Sequence, residues 1–160
     1  MGKQDVMAKI LPKGKGVWVP IDHGVTDFPC VGLENIEATI TAIIAGGANV
    51  IVAHKGVVDK YSHLCEGTAT SMIAHLSAST RHGGKNHSNK ILVGDVDEAI
   101  MRGAVGVSVQ ANIGSKKEST MLQRMGHITS EAFLNQVPVL GMLYVRGENA
   151  VSYTHLTLPT

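Results

Sequence analysis

The run GVWVPIDHG, residues 16–24, ends in a carboxylate and an imidazole, Asp22 and His23. A carboxylate held at the end of an apolar strand can move protons, and an imidazole there can do the same or bind metal. A second run, NVIVAHKG (49–56), ends in His54 and Lys55. Desolvation of a lysine favours the neutral amine, which can form a Schiff base. SMIAHLSAST (71–80) brings His75, Ser77 and Ser79, VGVSVQANIGS (105–115) brings Gln110 and Asn112, and VPVLGMLYVRG (137–147) brings Tyr144 and Arg146. A tyrosine among lysine, arginine and aspartate can donate a proton, and an arginine can bind an anion.

Each of these residues also has a plainer reading. Asp22 could cap a turn. Lys55 could bind phosphate or carboxylate, or extend its ammonium to solvent. Tyr144 could pack with a wet hydroxyl. Ser77 and Ser79 could bind a substrate hydroxyl or phosphate, or turn the chain, and without a GxSxG elbow they are not read as nucleophiles. Cys30 has no recognisable base partner. His23 alternates to the face opposite Asp22 and reads as structural. His23, His54 and His75 could together hold zinc. No HxH or HExxH spacing supports a local chelate, so three separately hydrogen-bonded imidazoles are preferred.

The elements that must position these residues repeat one pattern: an apolar, β-branched run, a polar or glycine break, then a helix. Helices are expected from about Glu34 to Ala45, ended by Gly46 and Gly47, through VDEAIMRGA (96–104), closing at Gly103, and from about Lys117 to Asn135. RHGGKNHSNK (81–90) reads as an exposed loop, with a disordered insertion as the alternative. Strands alternating with helices imply a parallel sheet. Both an open doubly wound sheet and a (β/α)8 barrel fit. No GxGxxG follows the first strand, and polar residues close nearly every strand, as in barrels. The fold class expected is therefore α/β, a (β/α)8 TIM barrel. Eight strands need about 250 residues, so a barrel cut short after about the fifth strand is expected.

Composition is compatible with this. The chain has 160 residues, 44% of them hydrophobic, and a net charge of +1. That is enough apolar content for one core. No basic run argues for nucleic acid, and no apolar run approaches the roughly 20 residues of a membrane span. The N-terminus lacks the pattern of a secretory signal. With only Cys30 and Cys65, a reduced, cytoplasmic chain is expected.

In order, VPIDHGVTDFPCVGLENI, GGANVIVAHKGVV, HLSAST, VGDVDEAIMRGAVGVSVQANIGS and PVLGMLYVRG resemble the N-terminal part of archaeal-type class I aldolases. That family includes fructose-bisphosphate aldolase and 2-amino-3,7-dideoxy-D-threo-hept-6-ulosonate synthase. The resemblance spans about residues 8–149. It implies a barrel that works through a lysine Schiff base, with no metal and no cofactor, on a phosphosugar, in a homo-oligomer when intact. It puts the catalytic aspartate on Asp22 and the catalytic tyrosine on Tyr144. His23, His54, Lys55, Ser77 and Arg146 become candidate substrate-binding residues. The Schiff-base lysine belongs to a sixth strand, so residues 1–150 are expected to form an inactive partial barrel. The DHG-to-GLEN stretch and HLSAST are closer to the heptulosonate synthase branch, which leads to aromatic amino acids. The alternatives are a metal-dependent barrel using the strand-end histidines and a non-catalytic phosphosugar-binding module. Residues 151–160, VSYTHLTLPT, lack helical periodicity and resemble the translation of a transposon-end adapter used in sequencing libraries, a non-native tail.

Overall fold

The computed structural model describes residues 2–27, 30–86 and 88–146, with the backbone alone at 85 and 86. The expected tail at 151–160 lies outside the described residues. The elements are α1 (Lys3–Ile10), β1 (Trp18–Pro20), α2 (His23–Thr26), α3 (Ile36–Ala45), β2 (Val50–His54), α4 (Lys55–Tyr61), β3 (Ser71–His75), β4 (Ser77–Ala78), β5 (Ile91–Leu92), α5 (Val96–Met101), β6 (Gly106–Ile113), α6 (Glu118–Leu134) and β7 (Val139–Val145). Five strands form one parallel sheet in the order β1-β2-β3-β6-β7, and β4 and β5 form a small antiparallel pair. This is the curled parallel sheet of a partial (β/α) barrel.

The central strands β2, β3 and β6 are largely buried because both of their faces are covered. On the outer face Ile51, Ala53, Met72, Ala74, Val107 and Val109 pack against Ile40, Val58, Val96, Ala99, Ile128 and Ala132 of the surrounding helices. On the inner face Val50, Val52 and Ile73 pack against Val6 and Ile10 of α1, with Trp18, Leu140 and Met142 at the margin. The indole N–H of Trp18 donates to the carbonyl of Ile10 at 3.0 Å. Helix α1 thus covers the inner face beside the N-terminal halves of the strands and leaves the C-terminal ends open.

Local chemistry sets the helix starts. Asn35 accepts the N–H of Ala38 at 3.1 Å, and Asp95 accepts that of Glu98 at 2.8 Å, so each satisfies a first-turn donor. Gly103, at φ +93°, turns the chain from α5 into β6.

The five expected strands are present, with three corrections at their ends. The first strand stops at Pro20, and His23 opens a helical turn. The second stops at His54, so Lys55 begins a helix instead of ending a strand. The third run divides after His75, and Ser77 and Ala78 pair with the 91–92 strand. The 81–90 stretch is exposed from Arg81 to Gly84, as expected of a loop, but it ends in a buried Lys90. Helix α1 has no counterpart among the expected elements.

Candidate active site

Parallel register decides which side chains meet. His54 pairs with His75, His75 with Ser108, and Asn112 with Tyr144. Side chains alternate along each strand, so His54, His75, Ser108, Gln110, Asn112 and Tyr144 share the inner face with Val52 and Ile73. Pro20 pairs with Val52, and Asp22, two residues further on, continues the same face. The inner face is therefore apolar at its lower half and polar at its C-terminal rim.

Asp22 sits at the N-cap position of α2, yet its side chain makes no capping hydrogen bond there. Its Oδ2 lies 3.6 Å from Nε2 of His75, with the Asp22 side chain 16% exposed and that of His75 1%. Nδ1 of His75 lies 2.5 Å from the Ser108 hydroxyl. Nδ1 of His54 donates to the His75 carbonyl at 3.1 Å, and the two rings are 5.4 Å apart, tilted by 58°. Burial lowers the pKa of His75 to about 4 against the pull of Asp22, with His54 and Lys90 adding to the lowering. Burial also lowers that of His54, again against Asp22. Both imidazoles are neutral at neutral pH.

Lys90 is 8% exposed. Burial lowers its pKa, Asp22 and Asp27 oppose the shift, and Arg146 adds to it. Its segment is tied down from two elements. Asn112 donates to the Ser88 carbonyl at 2.6 Å, and Arg124 donates to the Lys90 carbonyl at 2.6 Å. Gln110 donates from its side chain to Asn112 at 2.8 Å and from its backbone to the Ser77 hydroxyl at 2.9 Å. Ser77 thus ties β4 to β6. Tyr144 is 46% exposed on β7, and the Arg146 guanidinium lies 5.5 Å from its ring centroid.

The structure therefore gathers Asp22, His54 and His75 at one rim, with Tyr144 on the far edge strand β7, two strands from His75 and four from the strand that leads to Asp22, and Arg146 just past the end of β7. It does not bring in His23, which is exposed on α2, or Lys55, which reaches α5 and ion-pairs with Glu98 at 3.0 Å. Hydrogen bonds from Lys55 and Arg102 hold the Glu98 carboxyl below its ordinary range. Among the described residues no group of three or more His, Cys, Asp or Glu side chains is placed to hold a metal ion. Sequence reasoning missed Ser108 and Lys90. Ser108 had a signal in its two-residue spacing from Gln110; Lys90, at the end of a polar, glycine-rich stretch, had none.

Fold and site together define a (β/α)-barrel protein with a polar C-terminal rim. The family profile of the DeoC/LacD family aldolases matches residues 16–153, and the chain belongs to that family. It is 34% identical over 147 residues to 2-amino-3,7-dideoxy-D-threo-hept-6-ulosonate synthase 1 of Archaeoglobus fulgidus, covering 92% of this chain and 55% of that protein. It is 24% identical over 147 residues to fructose-bisphosphate aldolase class 1 of Thermoproteus tenax, covering 89% and 54%. Its fold superposes with a TM-score of 0.77 on an archaeal fructose-1,6-bisphosphate aldolase whose catalytic Lys is covalently bound to the carbinolamine intermediate; identity there is 21%, over 91% of this chain and 58% of the other. The chain spans about half the length of the curated relatives it matches.

Proposed function

We propose that this chain supplies strands one to five of a Schiff-base class I aldolase of the heptulosonate-synthase type, acting on a phosphorylated ketose. The observation that carries the reading is the common inner face of Asp22 and Tyr144, the two residues to which the family resemblance assigns proton transfer. Asp22 exchanges protons with the substrate's reacting carbons and hydroxyl, and a rigid strand end holds it in place. Tyr144 protonates the departing hydroxyl of the carbinolamine, and Arg146 beside it attracts an anionic group. The 34% identity to a heptulosonate synthase, against 24% to a fructose-bisphosphate aldolase, supports that branch and with it a step towards aromatic amino acids. The family resemblance assigns the amine nucleophile to a sixth strand of the barrel, and turnover requires it. No metal takes part, because the imine itself is the electron sink.

The test is borohydride trapping of the full-length gene product with a phosphoketose, followed by peptide mass spectrometry. A substrate-dependent adduct on a lysine beyond residue 146 is expected. An adduct on Lys55 or Lys90, or activity abolished by chelator and restored by zinc, overturns the reading.

A further inference from the structure

We infer that His75 is the positioning residue of Asp22: Ser108 fixes its neutral ring as the Nε2–H tautomer, and that N–H is aimed at the Asp22 carboxylate. The inference rests on the proposed role of Asp22.

Hydrogen bonding decides the tautomer. Ser108 is fully buried, and its hydroxyl lies 2.5 Å from Nδ1 of His75. If Nδ1 carried the proton, Nε2 would present a bare lone pair to a carboxylate oxygen 3.6 Å away. Two acceptors, one of them fully buried, would then face each other, and the serine proton would be turned away from the ring. With the proton on Nε2, the serine donates to Nδ1 and the imidazole N–H points at the carboxylate oxygen 3.6 Å away, its nearest charged acceptor, although Nε2 makes no hydrogen bond in this structure. A doubly protonated ring is disfavoured by its surroundings. The groups that face it are Asp22 from the end of β1, His54 from β2, Ser108 from β6 and Lys90 from the segment before β5, and burial, His54 and Lys90 together outweigh Asp22.

Orientation follows from the same geometry. The Asp22 carboxylate caps no helix, so the capping bond that would normally hold a carboxylate at this position is not what orients it. His75 sits in a rigid sheet, held on one side by Ser108 and through its carbonyl by His54. The 3.6 Å separation is long for a hydrogen bond, and contacts of this kind shorten when substrate is bound.

The test is ¹⁵N-histidine NMR of the chain near neutral pH, with long-range ¹H–¹⁵N correlations that report each ring's tautomer, the His75 signals being assigned by their loss in His75→Gln. The same spectra on the full-length gene product serve if residues 1–160 do not give dispersed signals. A single Nε2–H tautomer for His75 is expected, converted to a mixture by Ser108→Ala, with its Nε2 resonance shifted by Asp22→Asn. In the full-length product, His75→Leu should lower kcat by about 100-fold with little change in KM, and His75→Gln, whose amide can still donate, should recover most of it. An Nδ1–H tautomer in the unaltered protein, or a His75 signal indifferent to Asp22→Asn, overturns the inference. Absence of aldolase activity in every form overturns the proposed function and leaves the tautomer result standing.

Discussion

The ammonium of Lys55 lies 3.0 Å from each carboxylate oxygen of Glu98. This contact joins the first residue of α4 to α5 and extends through Arg102, whose guanidinium reaches Glu98 at 2.9 Å and Asp59 at 3.1 Å. A lysine engaged in this way, on the helical side of the sheet, is a clamp between two crossover helices. Lys55→Met should therefore leave imine trapping in the full-length product unchanged. It should lower the urea midpoint only slightly, and less at high salt, because an exposed ion pair is worth little and is screened. Loss of the trapped adduct in this variant would restore Lys55 as a nucleophile.

Asp22 and Tyr144 carry the chemical proposal. Asp22→Asn keeps the shape and removes the proton acceptor. Tyr144→Phe keeps the ring and removes the hydroxyl. Either change in the full-length product should lower kcat by about 10²- to 10⁴-fold, the usual contribution of a general acid or base. Circular dichroism should be unchanged, since Asp22 caps no helix and Tyr144 is half exposed. Near-normal turnover in either variant would reduce that residue to packing.

How far the site was legible depends on how many strands a residue needs to find its neighbours. Asp22 and Tyr144 stood out because each closes an apolar run, a property of one segment alone. The His75–Ser108 contact could not be read in that way. It arises because β3 and β6 become neighbours after the chain has made the β4–β5 pair and helix α5 between them, and no single run encodes that adjacency. Lys90 shows the same limit. Its local sequence is that of a solvated loop, and its burial is imposed by Asn112 and Arg124 from later elements. Lys55 differs from its expected place by one residue of strand length: the strand ends at His54, and the next residue starts a helix. The fold was easier to read, because five apolar runs separated by helical patterns suffice for a parallel sheet.

Gly106 tests the packing that brings β6 beside β7. A Cβ there would lie 2.8 Å from the Pro138 carbonyl oxygen and 2.9 Å from its Cγ. Both atoms belong to the chain just before β7, so relief requires backbone movement at the strand pair that supports Tyr144. Gly106→Ala should destabilise the fold by about 1–3 kcal/mol, the range for overpacking a close contact, read from the urea midpoint. An unchanged midpoint would mean that the β6–β7 junction is loose.

His75 makes stability depend on pH in a definite direction. Its ordinary pKa is 6.5, and in the fold burial lowers it to about 4. Well above pH 6.5 the imidazole is neutral in both folded and unfolded chains and contributes no pH dependence. As pH falls from 6.5 towards 4, the unfolded chain takes up a proton that the folded chain refuses, so stability falls with pH across that window. Below about 4 both states are protonated and the loss levels off at about 3 kcal/mol. His54, also lowered by burial, acts in the same direction. Glu98 has a different window: its lowered pKa costs stability only as pH drops below its ordinary value of 4.5. Between pH 7 and pH 5 the histidines therefore dominate, and urea unfolding should show a loss of about 2 kcal/mol over that interval. His75→Gln removes the titrating ring, so its stability should fall distinctly less between the same two pH values. An equal drop in both proteins would mean that His75 titrates near its ordinary value in the folded chain, and that the ring is not held neutral against Asp22.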